Sequence, residues 1–278
     1  MFARLAGSVL RAICVVILIA MPSLLLPAVS PDTAQIVALI CIFGAALTIM
    51  EYGAAYPGLI EFRDAPPFNR IRFVSLFITV LLLTLILRGL ESPTLTTWFV
   101  TAIGALIGHV LDFPYSPVRL MVLMLPEGTS AGHIALVRTA AGISYLISLL
   151  SLAVFVVVLR GQRWPAEAGI FSVWVNLPMF NPRSGGDVVA RLVRDGRFNI
   201  ALGFLLPFVI PATVKLVSEL FGGVTLANPH TLVWTIAAWA FLPVSLFMRG
   251  IALGKIARLI ADQRESAHGI DAERFQPV

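Results

Sequence analysis

Lys215 and Glu219 lie four positions apart within the apolar run VIPATVKLVSELF. In an α-helix this spacing places both side chains on one face, where an amine and a carboxylate could pair or exchange a proton. Pro207 and Pro211 lie just before them, and each proline removes a backbone donor and bends a helix. The pattern predicts a polar site beside a kink in a membrane helix. The structural alternative is a lysine whose alkyl chain stays in the apolar region while its ammonium group reaches the membrane surface.

His109 and Asp112 form a second pair, about one helical turn apart at the end of another apolar run. A carboxylate at this position could orient the imidazole or share its proton, which would suit a lipid-modifying enzyme; the simpler interpretation is a polar interface contact. The other histidines fall in predicted loops or the tail, so the sequence offers no buried pair of haem ligands. Gly104 and Gly108 just before the pair have the spacing that lets membrane helices approach closely.

A polar passage, YGAAYPGLIEFRDAPPFNRIRF, separates two apolar runs at residues 52–73. Its carboxylate and guanidinium groups predict a cytoplasmic docking or gating surface, and the alternative is a rigid connector stiffened by three prolines. We expect the carboxylate that precedes the passage to pair with one of its arginines. The candidates are Glu51, Glu61, Arg63, Asp64, Arg70 and Arg72.

Motifs that identify a reaction are missing from the sequence. There is no phosphate-binding or dinucleotide-binding glycine loop, no HExxH, no CxxC and no GxSxG. Cys14 and Cys41 both fall inside apolar runs and lack metal-ligand spacing, so we interpret them as small core residues. We therefore predict a protein that is not an enzyme and that holds no metal or cofactor.

Composition sets the class of protein. Hydrophobic residues make up 58% of the 278 residues and charged residues only 13%, far from the roughly 25% charged residues of soluble domains. A spanning helix needs about 20 mostly apolar residues, and many runs approach that length. The net charge of +5 comes mostly from arginines in short loops, which fits anionic lipid better than a nucleic-acid partner.

The apolar runs predict an all-α integral membrane protein, a polytopic bundle of about eight transmembrane helices. Seven spans are clear and the one at 164–180 is weak, because it is short and carries Glu167 and Pro178. The apolar piece between Arg119 and Pro126 is too short to cross. The spans cover about 5–26, 33–54, 73–87, 96–111, 134–159, 164–180, 200–221 and 231–248.

Arginine distribution selects the eight-span topology. If the weak segment crosses, sixteen Lys and Arg residues face the N-terminal side, and only Arg88, Arg160 and Arg163 face the other. With seven spans the counts become seven and twelve, against the positive-inside rule. We therefore expect both termini in the cytoplasm and a bacterial inner membrane as the location. The first span resembles a signal peptide, but Pro31 would directly follow the cleavage site, so we expect the span to be retained. Asp187 is expected to cap a basic amphipathic helix over 187–197 that lies on the anionic leaflet.

Paired motifs suggest an internal duplication. Arg63-Asp64 before the third span matches Arg194-Asp195 before the seventh, and Pro93 with Trp98 matches the spacing of Pro229 with Trp234. The offsets suggest a 4+4 parallel repeat with halves 1–133 and 134–256, and coincidence among leucine-rich helices is the alternative. We expect one transmembrane domain, residues 1–256, followed by a polar cytoplasmic tail, residues 257–278.

Two functions remain open at this point. The first is a non-catalytic accessory, scaffold or assembly subunit that binds another membrane protein or forms a homo-oligomer, because polar groups near the membrane middle are sparse. The second is a small-molecule or ion transporter that uses Lys215 and Glu219 in a kinked seventh span.

Overall fold

The computed structural model describes residues 2–27, 29–56, 58–161, 164, 176–178, 180, 186–221 and 226–274. Six of the helices in this part of the chain are long and apolar enough to cross a membrane, and one further apolar helix is shorter. The predicted all-α polytopic bundle is therefore confirmed. The helices are α1 (Phe2–Leu25), α2 (Pro31–Gly53), α3 (Phe68–Glu91), α4 (Leu95–Leu111), α5 (Pro117–Leu123), α6 (Ala131–Gly161), α7 (Val188–Phe221) and α8 (Pro229–Arg274).

Two buried hydrophobic clusters mark the two ends of the bundle. One contains Phe62, Phe68, Leu159 and Leu192 together with the middle of α8, and we call this the basic end because most arginines lie there. The other contains the second halves of α1 and α3, all of α5, and the first halves of α6 and α8. We call this the distal end. Each long helix has its two halves at opposite ends.

The direction of α6 fixes how many times the chain passes between these ends. Helix α3 runs from Phe68 at the basic end to Leu87 at the distal end, whereas α6 runs from Val137 at the distal end to Leu159 at the basic end. The connecting segment, which contains α4 and α5, therefore starts and finishes at the distal end. The predicted fourth span is a helix, but it makes no net crossing.

Glycines hold α4 across the distal part of α6. A Cβ atom built on Gly142 of α6 would lie 2.4 Å from the Cα of Gly108, and one on Gly104 would lie 2.9 Å from the side chain of Thr139. No side chain fits between backbones this close. The close approach predicted from the glycine spacing is confirmed. This contact packs α4 closely against α6.

The weak segment at 164–180 falls largely outside the described residues. Trp164 donates its indole N–H to the Ala65 carbonyl at 3.2 Å, and the Asn176 carbonyl accepts the Phe62 N–H at 2.7 Å. Both described parts of the segment thus contact one loop at the basic end. Six passages, made by α1, α2, α3, α6, α7 and α8, connect the described elements, compared with the eight crossings that the sequence suggested.

Helices α7 and α8 form a tightly packed hairpin. A Cβ on Gly250 would lie 2.6 Å from the Gly196 carbonyl oxygen, and a Cβ on Gly203 would lie 2.7 Å from the Pro243 carbonyl oxygen. The first turns of α7 continue directly into its apolar part, so the basic amphipathic stretch is not a separate helix on the leaflet. Helix α8 continues through Arg274, so the predicted polar tail is helical over its described residues.

Helix α2 lies at the periphery. Its packing partner in the described part of the chain is α1, and within α2 only Cys41 and Thr48 are buried. The contacts are close, because a Cβ on Gly44 would lie 3.0 Å from the Ile19 side chain. The rest of its circumference is apolar and exposed.

The contacts test one part of the proposed repeat. Helices α3 and α7 both start at the basic end. Helices α1 and α6 run in opposite directions, so a further pair in the sequence, Arg4-Leu-Ala-Gly in the first span and Arg138-Thr-Ala-Ala-Gly in the fifth, does not join equivalent helices. The 4+4 repeat stays a prediction for the remaining pairs.

Candidate functional site

The predicted docking loop at the basic end is organised by the carboxylate of Glu51, at the end of α2. Its two oxygens accept the backbone N–H groups of Gly58, Leu59 and Ile60 at 2.9 to 3.2 Å. Charge-assisted bonds of this kind are roughly twice as strong as neutral ones. The carboxylate therefore fixes the loop backbone, instead of pairing with Arg63 or Arg70 as the sequence suggested.

Arg63 closes the C-terminal end of α2. Its guanidinium donates to the carbonyl oxygens of Glu51 at 2.8 Å, Ala54 at 2.7 Å and Ala55 at 3.3 Å. The last carbonyls of a helix have no partners within the helix, and a cation stabilises the negative end of its dipole. The remaining donors bind Asp64 at 3.2 and 3.3 Å.

Glu61 joins this loop to the last helix. The Nε and Nη2 atoms of Arg249 donate to its two carboxylate oxygens at 2.6 and 2.8 Å. The Glu61 side chain is 12% exposed and that of Arg249 is 30% exposed. A two-bond pair with this burial fixes the loop against α8.

Arg72, in the first turns of α3, lies beside this pair. Its Nε is 3.2 Å from the Ser245 hydroxyl, and its guanidinium carbon is 5.1 and 5.5 Å from the ring centroids of Phe68 and Phe241. Such cation–π contacts stabilise a cation away from water. Arg70, two residues earlier, is exposed and makes no ion pair within the described residues.

Buried aromatic rings pack against one another in and beside the α2–α3 loop. Phe62 is fully buried, with ring centroids 4.4 Å from Phe68 and 5.9 Å from Trp164. Its φ of +53° lies in the left-handed region, which costs a non-glycine residue about 1 kcal/mol or more. The side-chain oxygen of Asn176 accepts the Asp64 N–H at 3.1 Å. The contacts of Trp164 and Asn176 therefore hold the loop in this conformation.

The start of α7 confirms the predicted cap. The carboxylate of Asp187 accepts the Ala190 N–H at 3.0 Å and also pairs with Arg264 at 2.6 Å. The hydrogen bond from Arg264 and the bond from the Ala190 backbone hold the pKa of this carboxyl below its usual value. Leu192 is buried, and Val188, Val189 and Val193 pack around it, as the amphipathic pattern predicted.

The second candidate pair lies at the distal end, not at the end that carries the α1 N-terminus. The Asp112 carboxylate accepts a bond from Arg138 Nε at 2.6 Å and lies 3.4 Å from Arg119. His109 is exposed and makes no side-chain bond within the described residues. Asp112 therefore connects α4 and α5 to α6, and the arginines occupy the position expected for the imidazole.

The predicted polar pair of the seventh span, Lys215 and Glu219, stays a prediction, because only its first member has a described side chain. Pro211 has no N–H to bind the Pro207 carbonyl, and Trp239 of α8 donates its indole N–H to that oxygen at 3.1 Å. Lys215 lies on an exposed face of α7. The side chain of Glu219 is outside the described residues.

Comparison with family models, with curated proteins and with solved structures gave no match. Function must therefore be argued from the geometry. Among the described residues no group of three His, Cys, Asp or Glu side chains could hold a metal ion. The charged candidates at the basic end instead connect the α2–α3 loop to α2 and, together with Arg72 of α3, to α8, and they form a polar surface.

Proposed function

We propose that this protein is a non-catalytic accessory, scaffold or assembly subunit that binds another membrane protein through its α1–α2 hairpin. The observation that carries the proposal is the exposure of α2, which packs against α1 and leaves apolar side chains on its other faces. Ile36, Phe43 and Met50 are 59%, 68% and 69% exposed. A partner helix on this side would bury a face that the described chain leaves open.

The polar contacts at the basic end support a binding role. Glu51, Glu61, Arg63 and Arg72 are engaged with backbone groups, rings or one another. Groups that bind substrate or transfer protons must remain available for that step. Here their contacts hold a surface in shape, which suits recognition of a partner.

We further propose that both termini face the cytoplasm of a bacterial cell and that the protein resides in the inner membrane. Six passages return the chain to its starting side. The distal end carries Arg88, Arg119, Arg138 and Lys215, whereas thirteen basic residues with described side chains lie towards the basic end. The positive-inside rule places such an end in the cytoplasm. Those thirteen are Arg4, Arg11, Arg63, Arg70, Arg72, Arg160, Arg191, Arg194, Arg197, Arg249, Lys255, Arg258 and Arg264.

Photo-crosslinking in native membranes tests the partner surface. A benzoylphenylalanine at Phe43 of α2 is compared with one at Phe204 of α7, because these phenylalanines are 68% and 60% exposed. We expect a protein adduct of defined mass from position 43 and lipid adducts alone from position 204. An adduct of twice the chain mass would identify a homo-oligomer, and native mass spectrometry of the extracted complex would give its stoichiometry.

Lipid adducts alone at both positions, together with a monomer in native mass spectrometry, would refute the binding role. The competing permease function is favoured by the exposed position of Lys215 in an apolar helix. If the protein is a permease, Lys215→Leu should abolish the flux of the transported solute into proteoliposomes without loss of folding. Unchanged flux would remove that function.

A further inference from the structure

A basic cleft lies between the start of α1 and the end of α2. Its volume is about 370 Å³, and its walls are formed by Arg4, Gly7, Arg11, Tyr52, Arg63 and Asp64. Sites for small ligands have volumes of about 300 to 1,000 Å³. The cleft adjoins the ends of two membrane helices, at the level where phospholipid headgroups lie.

Two residues of the wall neutralise each other. Arg63 Nε and Nη2 contact the carboxylate of Asp64, and the remaining Nη donors of Arg63 bind carbonyls at the end of α2. Neither side chain therefore needs a ligand. Together they form a part of the wall that has no net charge.

The other two guanidinium groups are not balanced by a carboxylate. Arg4 is exposed and makes no ion pair within the described residues. Arg11 uses one Nη1 hydrogen for the Gly7 carbonyl at 2.7 Å and stacks 4.7 Å from the centroid of Tyr52. Its other donors make no hydrogen bond within the described residues. The cleft thus has an excess of two positive charges, and the N-terminus of α1 adds the positive end of its dipole.

Gly7 lies in the wall of the cleft, next to the guanidinium of Arg11. A Cβ atom at this position would lie 3.0 Å from Arg11 Nη1. A larger side chain would therefore displace the guanidinium from its place above Tyr52. The substitution offers a way to close the cleft without removing any charge.

We propose that this cleft binds a phosphate-bearing anion, with Arg4 and Arg11 as its ligands. Guanidinium groups bind phosphate oxygens through two parallel hydrogen bonds, and the planar group can do so while it stacks on a tyrosine. The ligand is the phosphate of an anionic phospholipid headgroup or a small soluble phosphate, since both present the same oxygens. The location favours the lipid.

Native mass spectrometry of the purified full-length protein tests this site with three probes: phosphatidylglycerol, phosphatidylcholine and inorganic phosphate. The variants are Arg4→Gln/Arg11→Gln and Gly7→Leu, and the control is Arg70→Gln, an exposed arginine at the same end. A direct hydrogen-bonded contact contributes on the order of 1 kcal/mol, so we expect the double variant, which loses two such contacts, to lose about 30-fold in phosphatidylglycerol affinity. Gly7→Leu should also weaken binding, and Arg70→Gln should not.

Retention of phosphatidylglycerol over phosphatidylcholine assigns the lipid, whereas binding of inorganic phosphate that displaces it assigns a soluble phosphate; both support the cleft. Equal losses in Arg70→Gln and the double variant would overturn the proposal, because they indicate diffuse attraction. So would unchanged binding in Gly7→Leu. Gel filtration and helical circular dichroism confirm that each variant is folded before its binding is compared.

Discussion

The pair formed by Glu61 and Arg249 gives the sharpest test of the fold at the basic end. Glu61→Gln keeps the shape of the side chain but leaves the Arg249 guanidinium without its carboxylate. Arg72 also interacts electrostatically with both members, so two like charges would then face each other. Loss of one partner destabilises much more than the net value of the pair itself.

Burial sets the magnitude of this effect. Removing one partner of a buried pair costs about 3 to 5 kcal/mol, and an exposed pair contributes about 0 to 1 kcal/mol. With Glu61 at 12% and Arg249 at 30% exposure, the pair lies between these limits. We expect Glu61→Gln to lower the free energy of unfolding by about 2 kcal/mol, an intermediate between them.

Thermal unfolding in detergent, followed by tryptophan fluorescence, measures this change. Trp164 is buried in the same cluster and reports on its opening. In a double-mutant cycle with Arg249→Met, the double variant should be little less stable than either single variant, because the unpaired charge is gone. Additivity of the two effects to within about 0.5 kcal/mol would refute the coupling. Arg70→Gln serves as the control and should leave stability unchanged.

Three further predictions concern other contacts. Trp239→Phe leaves the Pro207 carbonyl without its donor, and we expect a loss of about 1 to 3 kcal/mol in thermal unfolding; an unchanged midpoint would contradict the assigned role of this bond. Gly142→Ala places a methyl group against the α4 backbone and should cost about 1 to 3 kcal/mol, whereas Gly132→Ala in the same helix meets nothing within 4 Å and serves as the control. The lowered pKa of Asp187 means that its cap is present above the usual carboxyl value of 3.8 and is lost as pH falls through the lowered pKa. Hydrogen exchange in the first turn of α7, corrected for intrinsic pH effects, should show this loss in the wild type, and the same pH response in Asp187→Asn would contradict it.

The six long helices were predictable because their apolar runs are long enough to be unambiguous and are bounded by proline, glycine or charge. The cap at Asp187 was equally clear from its position before Val188, and the glycine pair before His109 correctly indicated a close helix contact. These are local signals. They depend on residues a few positions apart.

The path of the chain through the bundle was not predictable in the same way. No feature of the nearby sequence distinguishes a helix that crosses the membrane from one that packs across a neighbouring helix. Helix α4 packs across α6, where Gly108 contacts Gly142. The pairing of Glu61 with Arg249 joins residues 188 positions apart. No spacing rule connects them, and no partner was predicted for Glu61. The sequence suggested that Arg63 or Arg70 pairs with the Glu51 carboxylate, whereas Arg63 binds the backbone carbonyl of Glu51.

The Glu61–Arg249 contact also has a consequence for biosynthesis. Glu61 is synthesised in the loop that follows the first hairpin, and its counter-ion is synthesised 188 residues later, in the last helix. Until then the carboxylate faces lipid headgroups and water, and the loop around it has only the anchors that α2 supplies. Insertion of α8 is therefore the step that completes the basic end, and a ribosome stalled before Arg249 would release a chain whose first hairpin is formed but whose basic end is still open to chaperones and proteases.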